Sequence, residues 1–233
     1  MKITTCIGYT NNDFRRMGNL LAQSIHRHTP DVKIRLVECK DEGRKKNMGT
    51  RFAAYVDESA DYVFALDADS LCFGSLLPIC ERMEQDRLTF LGRHSHRPRK
   101  APRKFNQNLY TKMFCDRGLS KLPMFVPNAY VIRGDQSFLL ADAAQKFTEE
   151  LYANNTHVCG NPLWSDQVGF TLAISALNLP NKEIDIFRRT EVRDWAGARK
   201  QKQCPRIIHF GSTRYNNLLL SGKLFHIMEN GNG

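Results

Sequence analysis

No apolar stretch in this chain of 233 residues approaches the ~20 residues needed to cross a bilayer. The opening residues, Met1-Lys2-Ile3-Thr4-Thr5, also lack the apolar core of a secretory signal, and the two absences together lead us to expect a cytoplasmic protein. The seven cysteines, at positions 6, 39, 72, 80, 115, 159 and 204, include no Cys-x-x-Cys pair. An odd number in a chain of this size makes no disulfide framework, so reduced thiols are expected. Internal repeats and long linkers are missing too, and 42% hydrophobic content suits one large core, so residues 1–233 are expected to form a single domain. After the first apolar segment comes Ile7-Gly8-Tyr9-Thr10-Asn11, which is not the glycine-rich basic phosphate loop that a sugar nucleotidyltransferase would carry there.

What the chain does have is positive charge. Its formal net charge is +10, which favours anionic partners: nucleotides, nucleic acid or an acidic membrane surface. Residues 93–104 read Arg-His-Ser-His-Arg-Pro-Arg-Lys-Ala-Pro-Arg-Lys, six of the twelve being Arg or Lys, with prolines that oppose regular structure. That run reads as a mobile basic loop, either a solvated surface with no further duty or a lid that meets anions or a membrane face. Asn154-Asn155-Thr156 matches the glycosylation acceptor pattern but reads as a polar turn after a helix.

Strand-like and helix-like segments alternate, as in an α/β fold with a mostly parallel sheet flanked by helices. Ile3 to Gly8 reads as a first strand; Asn12 or Asp13 then caps a helix whose Phe14, Met17, Leu20, Leu21 and Ile25 repeat at helical spacing, and Pro30 ends it. Lys33 to Val37 reads as a strand. Thr50 caps a helix with Phe52, Tyr55 and Val56, and Pro78 opens another through about Met83. Val126 to Arg133 reads as a strand before an amphipathic helix with Phe138, Leu139, Ala143, Phe147 and Leu151 on its apolar side. Ser165 caps a helix with Val168, Leu172 and Leu177, while Ile184 to Phe187 and Arg206 to Phe210 read as short strands.

One stretch stands out. In Asp61-Tyr62-Val63-Phe64-Ala65-Leu66-Asp67-Ala68-Asp69, five apolar residues suit a strand buried on both faces, and they end in two carboxylates one residue apart. Ligands of open α/β sheets bind beyond the carboxyl ends of strands, where Asp67 and Asp69 would lie. If the extended geometry reaches Asp69, both side chains point to one side and can face one hard cation. The plainer reading is a strand followed by an acidic turn. Ile207-Ile208-His209-Phe210-Gly211 ends in a similar way, with a metal-capable side chain and a glycine after apolar residues.

Asp67-Ala68-Asp69 after a buried strand, Asn128-Ala129 at the start of another, Asp166-Gln167 opening a helix and His209-x-Gly211 near the C-terminus follow in that order. In this the chain resembles the GT-A-fold nucleotide-sugar glycosyltransferases, and most of all the glycogenin-like and galactosyltransferase-like enzymes of glycosyltransferase family 8, over most of its length from Ile3 to about Arg214. The resemblance implies a transfer from a UDP-sugar to a glycan, lipid-linked or protein acceptor, with retention of anomeric configuration and no role for nucleic acid. It makes Asp67, Asp69 and His209 ligands of a divalent metal. Oxygen ligands suit Mg²⁺ or Mn²⁺, and the histidine tips the preference to Mn²⁺. It sets Asn128 and Ala129 beside the donor sugar or acceptor, and Asp166 and Gln167 beside the anomeric carbon. Gly8, Tyr9, Thr10, Arg51, Ala68, Gly211 and Arg214 complete the expected donor site, with Tyr9 and Thr10 past the first strand, under the base. The relatives carry His-x-x-Gly-x-x-Lys-Pro-Trp, whereas here the segment His209-Phe210-Gly211-Ser212-Thr213-Arg214 is one residue shorter, has Arg for Lys and lacks the Pro-Trp. Three rivals stay open: an inverting GT-A transferase on the same metal site, a sugar nucleotidyltransferase, and a basic nucleic-acid-binding module. The last explains the charge but not two strand ends tipped with metal ligands.

Overall fold

The computed structural model describes residues 1–39, 51–94, 105–154, 165–183, 187–189 and 207–209, with the backbone alone described at 51, 128, 187–189 and 208–209. In chain order the elements are β1 (Ile3–Tyr9), α1 (Asn12–His28), β2 (Lys33–Glu38), a 3-10 turn (Arg51–Tyr55), β3 (Tyr62–Asp67), β4 (Ser70–Cys72), α2 (Leu77–Gln85), β5 (Phe90–His94), α3 (Gln107–Cys115), β6 (Phe125–Arg133), α4 (Gly134–Ala153), α5 (Ser165–Ala176), β7 (Asn181–Glu183), β8 (Phe187–Arg189) and β9 (Ile207–His209).

The main sheet has the order β2-β1-β3-β6-β5-β7, in which β6 alone runs against the others. A small second sheet, β4-β9-β8, pairs β9 antiparallel to β4 and parallel to β8. Alternation along β3 feeds two cores. Tyr62, Phe64 and Leu66 pack with Met17, Leu21 and Ile25 of α1 and with Ile79 and Met83 of α2. Val63 and Ala65 face the other way, among Leu140 and Ala144 of α4 and Phe170 and Ile174 of α5. All five apolar residues of β3 are buried, as a strand covered on both faces must be.

Several expectations need correction. The cap of α1 is Asn11, whose Oδ1 accepts the Phe14 N–H at 3.0 Å, so Asp13 falls in the first turn, where its charge meets the positive helix end. The segment expected to be a helix with Phe52 and Tyr55 is a five-residue 3-10 turn, and Thr50 lies outside the described residues. Tyr9 is the last residue of β1, paired with Glu38, rather than part of the loop beyond it. Of the expected strand at Ile184 to Phe187, residues 184–186 lie outside the described residues, β7 ends just before them and Phe187 opens β8. Arg93 and His94 belong to β5, so the basic run begins inside the sheet; residues 95–104 lie outside the described residues.

Of the apolar side expected for α4, Ala143, Phe147 and Leu151 pack on the core, but Phe138 and Leu139 do not. Phe138 and Leu139 are 52% and 46% exposed, and the buried stripe runs through Ser137, Leu140, Ala141, Ala144, Thr148 and Leu151. Small residues bring this helix close to α5: a Cβ on Gly169 would stand 2.4 Å from Thr148 Oγ1 and 2.8 Å from the Thr148 backbone nitrogen. Where backbones approach this closely, Ala, Ser and Thr are the buried face, and apolar size misleads.

Candidate functional site

β1, β3, β5 and β7 run the same way, so Tyr9, Asp67, His94 and Glu183 end their strands along one edge of the sheet. On that edge Gly8 is the register partner of Asp67, and Ala129 faces Leu66 one step earlier. Residues Pro127-Asn128-Ala129 drop out of the ladder with β5, since the partner jumps from Tyr130 at Gly92 to Val126 at Arg93. Proline cannot donate to a ladder, which suits it to this bulge, and the bulge releases Asn128 and Ala129 beside the end of β3. At Gly8 a Cβ would lie 2.5 Å from the Tyr55 hydroxyl, a packing reason for glycine there. Thr10 is exposed, Tyr9 packs partly on the α1 side of the core, and Arg51 starts the 3-10 turn.

After Asp67 the chain bends at Ala68 and Asp69 before β4 begins at Ser70, so strand alternation does not govern how the two carboxylates relate. Asp67 is half-buried and Asp69 only 6% exposed. Ser70 is fully buried, and its hydroxyl has no hydrogen-bond partner among the described residues. The small sheet then brings in the C-terminal segment: β9 runs antiparallel to β4 with His209 opposite Ser70. Opposed residues of such a pair have Cα atoms roughly 4.5–5.5 Å apart, so the backbone of His209 is one residue away from Asp69 despite the long sequence separation. Among the described residues no three His, Cys, Asp or Glu side chains form a group ready for a metal. Gly211 and Arg214 lie outside the described residues.

The first turn of α5 comes to the same edge, because this helix leads into β7 by a short turn and so runs against it. Asp166 is 3% exposed and its Oδ1 accepts the Gln167 N–H at 2.7 Å, a helix-start role that neighbours the expected catalytic one. The Gln167 side-chain oxygen is buried without a hydrogen-bond partner among the described residues. Thr171 locks this turn to the sheet: its hydroxyl donates to the Gln167 carbonyl at 2.7 Å and accepts the Phe125 N–H at 3.0 Å.

Two features escaped the sequence reading. The unpartnered Ser70 hydroxyl follows the acidic motif but carries no pattern of its own. The pair His94 and Glu183, with Nδ1 to Oε2 at 2.9 Å, joins β5 to β7 at the same edge. Its histidine is hidden in the basic run and its glutamate in a strand of three residues. A cleft of about 560 Å³ between Asp61, Tyr62, Glu84, Arg133 and Asp135 opens at the other end of β3. There Glu84 accepts from both the Tyr62 hydroxyl and Arg133, so these polar groups satisfy one another.

No protein-family model and no curated protein matches the sequence. Solved structures do resemble it. The apo form of mouse xyloside xylosyltransferase 1 aligns with a TM-score of 0.50 at 9% identity, over 91% of this chain and 98% of that one. A glycosyltransferase involved in the glycosylation of the major capsid of PBCV-1 aligns with a TM-score of 0.58 at 12% identity, over 96% of this chain and 100% of that one. At such identities the likeness is one of architecture, and the chain shares the α/β fold of these two glycosyltransferases.

Proposed function

We propose that residues 1–233 act as one GT-A-like domain that moves a sugar, with retention, from a UDP-hexose to a hydroxyl of a glycan, lipid-linked or protein acceptor, as family 8 enzymes do. The observation that carries this reading is the antiparallel pairing of β4 with β9, which sets Ser70 opposite His209 at the end of the Asp-Ala-Asp strand. The fold shared with two glycosyltransferases supports it as well.

The donor set fits a divalent cation. Asp67 and Asp69 supply hard oxygens, the buried Ser70 hydroxyl without a partner among the described residues adds polar capacity beside them, and one imidazole favours Mn²⁺ over Mg²⁺. Asp67, Asp69 and His209 would hold the ion, and its contribution would be to neutralise charge growing on the departing diphosphate. The chain's own groups do the rest. Gly8, Tyr9, Thr10, Arg51 and Ala68 would belong to the donor site, Asn128 and Ala129 would lie beside the donor sugar or the acceptor, and Gly211 and Arg214 would complete the donor site. In the reaction the acceptor oxygen bonds to the anomeric carbon while the bond from that carbon to the diphosphate oxygen breaks, its electron pair leaving with UDP. Asp166 and Gln167 stand at the reacting carbon, Asp166 stabilising its developing positive charge or taking the acceptor's proton. The work is done in the cytoplasm, with the part of the basic run that follows β5 meeting an acidic membrane face.

Calorimetric titration with UDP in MnCl₂ and in EDTA tests the reading, followed by UDP release from a panel of UDP-hexoses. Binding that needs the metal, and slow release from one donor, are the expected results. Salt-sensitive binding to an oligonucleotide with no metal-dependent binding of UDP would favour the nucleic-acid module instead.

A further inference from the structure

The edge that carries Asp67 continues past the bulged start of β6 to β5 and β7. Alternation along β5 turns Phe90, Gly92 and His94 to the face shared by Phe125 and by Phe170 of α5. Asp67 follows Val63 and Ala65 onto that same face, and the first turn of α5, with Asp166 and Gln167, covers it at the same edge. Two strand spacings separate β3 from β5, so His94 stands about 10 Å across the edge from Asp67.

Glu183 holds His94 doubly: Oε2 lies 2.9 Å from Nδ1, and Oε1 accepts the His94 backbone N–H at 3.4 Å. The ring stands edge-on against Phe125, with centroids 4.5 Å apart. A carboxylate beside Nδ1 selects the tautomer with the proton there, so in the neutral ring Nε2 is the acceptor. Among the described residues Nε2 has no hydrogen-bond partner, and the side chain is 22% exposed. An edge strap does not need this arrangement, since β5 and β7 are already joined by their own ladder from Phe90 to Gly92.

We propose that His94, oriented by Glu183, receives the hydroxyl of the acceptor sugar at Nε2 and positions it for transfer. This rests on the glycosyltransferase reading: with the donor over β1 and β3, the hydroxyl enters from the side of β5 and β7. His94 touches the acceptor, and Glu183 is a positioning residue acting through it.

The test uses the full chain with MnCl₂, the UDP-hexose that releases UDP fastest, and methyl α- and β-hexopyranosides as acceptors. Loss of one hydrogen bond corresponds to about a tenfold rise in acceptor KM, expected for His94→Phe and Glu183→Ala. The affinity for UDP with Mn²⁺ should stay within about twofold, because no donor contact is removed. His94→Gln, whose amide oxygen can stand in for Nε2, should recover part of the loss. An unchanged acceptor KM in His94→Phe, a parallel fall in UDP affinity, a His94→Gln variant no better than His94→Phe, or a wild type whose UDP release no methyl glycoside increases would each overturn it. A wild type that fails to bind UDP with Mn²⁺ would instead remove the glycosyltransferase reading on which it rests.

Discussion

Asp57 and Asp69 are both buried carboxylates in different surroundings. Burial works against the charge on Asp57, but hydrogen bonds from Ser59, Lys33 and Thr4, and the Lys33 charge, outweigh it and hold the carboxyl well below the usual range. A folded-state pKa below the unfolded one means that this stability is present above about pH 4, the unfolded carboxyl value, and is lost as the pH falls further. Asp57→Asn should therefore cost roughly 1–3 kcal/mol at neutral pH and flatten the acid side of a stability profile measured by urea unfolding. Asp69 sits instead at the bend between β3 and β4, where the proposed function places a metal. Asp69→Asn should abolish the Mn²⁺-dependent part of UDP binding and move the melting temperature little. A large fall in melting temperature with UDP binding per folded molecule unchanged would make Asp69 a structural residue. Burial pushes the Cys6 thiol up to about 11 and the Cys80 thiol up to about 12, so both should resist alkylation in the native protein while the exposed Cys115 reacts.

At the scale of elements, periodicity revealed most strands and helices but not their contacts. The apolar run before Asp67 has a single good reading, because five apolar residues between acids are too few for a helix. In helix α4 the expected Ala143, Phe147 and Leu151 do pack on the core, whereas the large Phe138 and Leu139 are exposed. Substituting Phe138 by Ser should change stability by less than about 0.5 kcal/mol. Gly134 opens α4 where a Cβ would lie 1.9 Å from the Ala60 carbonyl oxygen, and backbone cannot swing aside as a side chain can. Gly134→Ala should cost about 1–3 kcal/mol or more in urea unfolding. The short strands β4, β7, β8 and β9, three residues each, carry too few residues for any period, and their partners come from distant parts of the chain. For that reason the residues of the acidic motif were legible, whereas the register that brings His209 to Ser70, and the pairing of His94 with Glu183, were not.

For the whole molecule, the alternation of elements pointed to an α/β sheet, and the structure adds what alternation cannot supply: the strand order and the reversal of β6. That reversal brings the start of β6, with Asn128 and Ala129, to the edge where the parallel strands end, which is why motifs scattered along the sequence collect on one side of the sheet. Among the described residues no helix is long and apolar enough to cross a membrane. Central to the proposed function is one ion shared by Asp67, Asp69 and His209 beneath a diphosphate. Anomalous diffraction from crystals grown with UDP and MnCl₂ tests this most directly. The expected result is a single manganese peak at coordination distance, about 2.0–2.3 Å, from the Asp69 carboxylate and the His209 imidazole. A manganese bound with His209 outside its coordination sphere, or no manganese at this edge of the sheet, would contradict it.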